Sequence, residues 1–362
     1  MHHYTKRTAS SLMDDKEMKR HWEGVIPEEA LKHPFLMEGL LAMSALHLTS
    51  MRPKERITWT PLAFKHQHIA LSHFRSIIPD INEENCHALL ALSILISVTS
   101  MAFTSFGTNL GPDESIPVRD IIEPFMLIRG YGEIVGAAVQ WLFIDPLRSV
   151  LVGHGVNVCE ALPPIPVAER FSQLCQMVTN LCQDGKFREV LTEAIETLQY
   201  VYTELIFSAG TELNKNPGIA WKWPYMCSQE YSNLLRKSHG GALIIFAHFA
   251  LLSKTWDGIW FLHGWAPRVI NGIYAAVEPC WKEWLEWPRQ QIRDNYPILR
   301  LPEKPHEEVV VEIDSQECSP EFEQTPLAVD IIDERGKFVL KFPWREEMMP
   351  MSQALQRFYA EL

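Results

Sequence analysis

The chain has 362 residues, 47% of them hydrophobic, enough to bury a large core in one big domain or two modest ones. Its formal charge of -12 and pI near 5.6 argue against nucleic-acid binding by the chain itself, because a polyanion is gripped by Lys and Arg neutralising phosphates. Seven cysteines, at 86, 159, 175, 182, 227, 280 and 318, are odd in number, widely spaced and set mostly in apolar text, which excludes a disulfide framework and reads as reduced packing residues.

The opening MHHYTKRTASSLMDD has no apolar centre, so neither a secretory signal nor an anchor is expected, and nucleus or cytoplasm is the expected address. The run HPFLMEGLLAMSALHL, residues 33–48, falls short of the roughly 18 to 20 residues of a bilayer span and carries Glu38 near its middle. It reads as a buried helix, with Pro34 in the first turn, Ser44 bonding back to the preceding turn, and Leu36, Leu40, Met43 and His47 on one face. Pro61 is expected to open an amphipathic helix ending at Pro79, with Leu62, His66, Ile69, Phe74 and Ile77 near one face. Asn82 then caps a helix over 83–103 that is apolar on every side and should be central.

A loop, FGTNLGPDESIP, leads to a helix over VRDIIEPFMLIRGYGEIVGAAVQWLF, with DPLRSVLV after a break at Asp145 and Pro146. Further helices are expected at 167–184 and 186–208, then through WKWPYMCSQEYSNLLRKSHGGALIIFAHFALLSKTW and VINGIYAAVEPCWKEWLEWP. No strand-like alternation of useful length precedes about residue 305, so the fold class is all-α, a multi-helix bundle over residues 1–300. Residues 301–362 form an acidic, proline-bearing extension, in which VDII and FVLKF suggest a short β-hairpin and PMSQALQRFYAEL a last helix docking through Leu355, Phe358 and Leu362. The charge run EKPHEE reads as a solvated connector.

The chain has no P-loop, no dinucleotide-binding glycine turn, no G-x-S-x-G and no CxxC. His66 and His68 point nearly 200° apart on a helix and cannot chelate one ion, and His239 and His248 fall on different faces of one helix, so no metal and no cofactor are expected. The acid pairs Glu28 with Glu29 and Glu83 with Glu84 sit where helix N-termini attract acids for stability. More informative are the twelve tryptophans, five of which (Trp256, Trp260, Trp265, Trp281 and Trp284) fall within thirty residues. Indoles give flat apolar walls with one donor each, and Gly258, Gly264 and Gly272 beside them let a ligand or a neighbouring helix come close, so the cluster reads either as a ligand cavity or as a tryptophan-rich core.

In order, HPFLMEGLLAMSALHL, AFKHQHIALSHFRSIIPDINEENCHALLALSILIS, FMLIRGYGEIV with WLF and DPL, WKWP, and GALIIFAHFALLSKTWDGIWFLHGWAPRVINGI with EWLEWP make residues 1–288 resemble the fungal-specific regulatory domain of zinc-cluster transcription factors of the sterol uptake control group. The resemblance implies an all-helical body that lies C-terminal to a DNA-reading zinc cluster and holds a sterol in an apolar pocket to move the factor between cytoplasm and nucleus. Neither the six-cysteine spacing of that zinc cluster nor the family's proline before GALIIFAHF is present; His239, Gly240 and Gly241 stand in the latter place. The tail from about residue 289 extends past the usual end of the family and would suit a flap over a pocket mouth.

Two functions remain open at this point. One is a ligand-sensing regulatory domain that binds a sterol, terpenoid or polyketide-like molecule, with a homodimer as a further expectation. The other is a stand-alone biosynthetic enzyme that reuses the pocket for cofactor-free cyclisation or isomerisation. Expected ligand contacts are Trp256, Trp260, His263, Trp265 and Arg268, the last three in the loop HGWAPR, with His66 and Tyr131 behind them; no catalytic residue is assigned. Both readings require the tryptophan-bearing helices to enclose an apolar void.

Overall fold

Two helices of this chain have no polar face, and the others are laid around them. A helix that is apolar all round must be sheathed on every side, and this requirement sets the layout. The computed structural model describes residues 1–12, 16–107, 116–142, 164–208, 217–294, 329–332 and 338–341. In chain order the main helices are α1 (Ile26–Lys32), α2 (Pro34–Met51), α3 (Arg56–Ile77), α4 (Cys86–Ala102), α5 (Val118–Leu142), α6 (Ile165–Leu181), α7 (Gly185–Phe207), α8 (Gly218–Met226), α9 (Gln229–Arg236), α10 (Gly240–Leu252), α11 (Trp265–Ala276) and α12 (Glu286–Arg293).

In the N-terminal half α4 packs against α1, α2, α3 and α5. The segment Cys86–Ser105 is long and apolar enough to cross a bilayer, and most of it is buried in this body. Gly39 on α2 allows close approach, because a Cβ there would run into Leu92 of α4. In the C-terminal half α10 is surrounded by α6, α7, α8, α9, α11 and α12, and every residue from Gly241 to Leu252 is buried. The halves meet at α5, where Phe125 packs edge-on against Trp223, Tyr231, Phe246 and Phe249 with ring centroids 5.5 to 6.5 Å apart.

Among the described residues up to 294 the all-α reading holds, with boundaries that differ in instructive places. The helix expected to open at Pro61 begins at Arg56, because a proline just past the first turn forfeits only the bond to the carbonyl of Ile57. Its buried face is Ala63, Gln67, Ala70 and Phe74, with Leu62, His66, Ile69 and Ile77 at the border; the two alanines let α2 and α3 lie close. Ser44 does not bond back to the preceding turn: its hydroxyl is buried with no partner among the described residues, whereas Thr49 donates to the carbonyl of Ala45 at 3.0 Å. Asn82 shapes the turn before α4 by accepting from the N–H of Glu84 at 3.0 Å, and the helix proper starts at Cys86. Asp184 caps α7 through the N–H groups of Lys186 and Phe187. Residues 143–163, including DPLRSVLV, the turn 333–337 of the expected hairpin and the last segment 350–362 lie outside the described residues, so the hairpin and the final helix stand only as expectations.

Polar ties cross this apolar body, and three of them involve titratable side chains held in its interior. His248, the polar side chain of α10, accepts from Arg170 of α6, whose Nε and Nη2 lie 3.1 and 2.9 Å from Nε2, while His248 Nδ1 donates to the carbonyl of Ile244 at 2.9 Å. Burial, with the Arg170 charge second, pushes the His248 pKa down to about 3, so the ring is a neutral acceptor; it stacks on Trp287 at 5.5 Å. Lys222 of α8 donates to the buried carboxylate of Glu204 on α7 at 2.6 Å. His47 of α2 faces Thr8 at 3.1 Å, and burial, then His3 and Arg7, lower its pKa to about 4.

Two outcomes are expected from this packing. The indole of Trp281 lies directly on Gly240, where a Cβ would overlap it, so Gly240→Ala should cost about 1 to 3 kcal/mol in urea unfolding, whereas Gly185→Ala, with open space around it, should be near neutral; equal costs at the two sites would refute the packing argument. His47 and His248 both have folded pKa values below the ordinary histidine value of 6.5, so the unfolded chain binds more protons between pH 6.5 and 4. Stability is therefore complete above about pH 6.5 and falls as the pH drops toward 4, and His47→Gln should make that slope shallower by up to about 1.4 kcal/mol per pH unit. Denaturant titrations across this range check it, and an unchanged slope in the variant contradicts it.

Candidate functional site

Where α4, α8, α10 and α11 converge, Met101, Trp221, Phe249, Trp256, Leu262 and Trp265 line an aromatic concavity, with Ala220 and Ser253 completing its wall. It spans about 260 Å³ of non-atom space, part of it open to solvent, and only about 10 Å³ admits the centre of a water-sized sphere. That is room for about one water molecule, whereas sites for drug-sized ligands take roughly 300 to 1,000 Å³. The tryptophan-bearing helices thus meet around a small void in a closed arrangement, and the guest-sized cavity read from the sequence is not open here.

The wall is closed by the turn 257–264 between Trp256 and α11. Within it the Asp257 carboxylate accepts from the N–H of Gly264 at 2.8 Å, and Gly264 takes φ 69°, a left-handed conformation that a glycine adopts without strain. Trp260 ties the turn to the N-terminal segment: its Nε1 donates to Ser11 Oγ at 3.1 Å and its ring stacks on His47 at 4.9 Å. Ser105 Oγ donates to the carbonyl of Phe261 at 3.0 Å, which fixes the other side. The turn therefore has an apolar underside formed by Phe261 and Leu262, both buried, and a polar rim of few hydrogen bonds.

The residues expected to contact a ligand do not converge. Trp256 and Trp265 line the concavity, and Trp265 is buried with no acceptor for its Nε1 among the described residues. Trp260 faces the N-terminal segment instead. His263 points to solvent, bonded to Asp257 through Nδ1, and Arg268 lies one turn along α11 from Trp265. His66 is engaged with Glu38 of α2, to which its Nδ1 donates at 2.5 Å, and the side chain of Tyr131, on α5, is outside the described residues. The loop HGWAPR fails as a polar cluster because its residues lie at a helix start, where successive side chains fan out by about 100°. Sequence reasoning missed Trp221 and Phe249 as walls: Trp221 was visible in WKWP, but the pairing of α8 with α10 brings residues 28 apart together and leaves no local pattern. Among the described residues no group of three or more His, Cys, Asp or Glu side chains is placed to hold a metal ion.

Residues 1–109 match the fungal specific transcription factor domain. The chain is 25% identical over 299 residues to a Zn(2)-C6 fungal-type transcription factor of Gibberella zeae, an alignment covering 80% of this chain and 60% of that protein. It is also 32% identical over 276 residues to sterol uptake control protein 2 of Candida albicans and 31% identical over 272 residues to sterol uptake control protein 2 of Saccharomyces cerevisiae, covering 72% and 73% of this chain. The chain spans 33% and 28% of the lengths of those two relatives. Its first 109 residues are thus similar to the fungal specific transcription factor domain, and most of the chain is similar to a part of longer fungal transcription regulators.

Proposed function

We propose that this chain is the regulatory body of a fungal transcription regulator, working in nucleus and cytoplasm, and that it responds to an apolar small molecule of sterol, terpenoid or polyketide type. The observation that supports this reading is the concavity of Trp221, Phe249, Trp256 and Trp265, roofed by a turn held through few polar contacts. A guest of sterol size enters only if the turn 257–264 lifts and α11 moves away from α8. Binding then selects an open state, and the closed arrangement lowers the apparent affinity by the fraction of molecules that are closed. The chemical state of the apolar guest stays unchanged in this reading, since the polar residues near the concavity do not converge on a common point where a reaction would be driven. The names of the two sterol uptake control relatives favour a sterol among the possible guests.

Titration of the whole chain with dehydroergosterol, followed by energy transfer from tryptophan to the sterol, tests the proposal. Saturable transfer is expected, with the sterol recovered unaltered by mass spectrometry. Ala220→Phe, which fills the concavity, should weaken binding by at least about tenfold, and Trp260→Phe, which removes a hydrogen bond of the closed state, should tighten it several-fold. Absence of saturable transfer in the folded chain, or unaltered affinity in both variants, would rule the reading out; a converted sterol would favour the enzyme alternative.

A further inference from the structure

One donor and one acceptor are left over in the wall of the aromatic concavity. Of the three indoles there, those of Trp221, Trp256 and Trp265, only that of Trp265 has its N–H sealed from water with no acceptor among the described residues, and the whole residue is 1% exposed. Ser253, 9% exposed, belongs to the same wall. Its hydroxyl donates to the carbonyl of Ala250 at 2.8 Å, which uses its one proton and leaves the oxygen lone pairs with no donor among the described residues. The two groups do not bond to each other, since Trp265 Nε1 has no partner.

The fold brings this pair to one side of α10. Ser253 caps the C-terminal end of that helix, and Trp265 is the first residue of α11, which packs against it. The Trp265 ring meets Phe246 of α10 edge-on with centroids 6.5 Å apart, and Ser253 follows Phe246 by about two helical turns, on the same face. The side chains of Met101, Ala220, Phe249 and Leu262 make the rest of the wall apolar. An indole N–H in such a place has given up water and gained no acceptor, which is costly until an oxygen is supplied.

We propose that Trp265 and Ser253 form a binding site for an alcohol group, whose oxygen accepts from Trp265 Nε1 and whose proton is donated to Ser253 Oγ. A hydroxyl is the small neutral group that accepts and donates at a single atom, as this pair requires. The assignment rests on the reading of the concavity as a guest site, and it narrows the guest from an apolar molecule to an apolar molecule bearing a hydroxyl. A ketone satisfies only the tryptophan, and a hydrocarbon satisfies neither group.

Competition against dehydroergosterol in the energy-transfer titration of the whole chain tests the site, with three probes of one ring skeleton delivered from cyclodextrin: cholestanol, cholestanone and cholestane. The alcohol is expected to compete best and the hydrocarbon least, with roughly tenfold or more between them. Trp265→Phe should remove the advantage of the ketone over the hydrocarbon, and Ser253→Ala that of the alcohol over the ketone. Each comparison is a ratio between probes in one protein, so a residue that only shapes the wall weakens all three alike and leaves the ratios unmoved. Unmoved ratios in both variants, or equal competition by the three probes in the parent, would overturn the site. Where Trp265→Phe does not fold, the ranking in the parent and in Ser253→Ala decides. Saturable transfer with no preference for the alcohol removes this site and leaves the guest-binding reading intact, whereas no saturable transfer at all removes both.

Discussion

The fold depends on enclosing two helices that offer water nothing. Along α10 nearly every side chain is apolar, and along α4 the small polar ones, Ser93, Ser97, Thr99 and Ser100, are buried with the rest, so each turn left uncovered would expose several side chains whose burial is worth about 1.5 to 3 kcal/mol apiece. The neighbouring helices are amphipathic, and their apolar faces complete the enclosure; α5 serves both halves through Phe125. The same constraint explains the polar ties. A single histidine inside α10 has to find a donor in the interior, and Arg170 reaches it from α6 while also donating to Gln173 and to the carbonyl of Trp284. Losing one member of such a tie leaves the other buried and unpaired, which is costlier than the tie itself is stabilising.

An interior built this way leaves space only where helices with bulky residues cannot interdigitate fully. The aromatic concavity lies at such a place, between α4, α8, α10 and α11, and its small volume follows from the roof of Leu262 pressed onto it by the turn 257–264. Opening the concavity would expose Leu262, Trp256 and part of Trp265 unless a guest replaced the lost contacts. An apolar guest does replace them, and water does not. Under the proposed function that asymmetry would keep the concavity shut without its guest, the buried Phe261 and Leu262 seating the roof beside its hydrogen bonds.

Much of the helical body could be read from residue order because its signals are local. The apolar run of α4, Pro34 in the first turn of α2 and the break between α6 and α7 are each contained within a few residues. Position along a helix misled where a local rule was outweighed by tertiary contacts: Pro61 was tolerated inside α3, and the hydroxyl of Ser44 was buried with no partner among the described residues. The long-range side-chain contacts were hidden for a different reason. His66 meets Glu38 across 28 residues, Arg170 meets His248 across 78, and Trp260 meets Ser11 across 249. No periodicity records such pairings, so the tryptophan cluster indicated the right region while most of its expected polar partners pointed elsewhere.

Helix α11 is the wall that would have to move under the proposed function. Trp265, at its start, forms part of the concavity, and α11 is a single rigid element of twelve residues, so a displacement of its first turn from α8 carries the whole helix with it. A guest in the concavity would favour whichever position of α11 leaves it room, and the left-handed Gly264 at its N-terminal end is the point about which such a movement costs the backbone least.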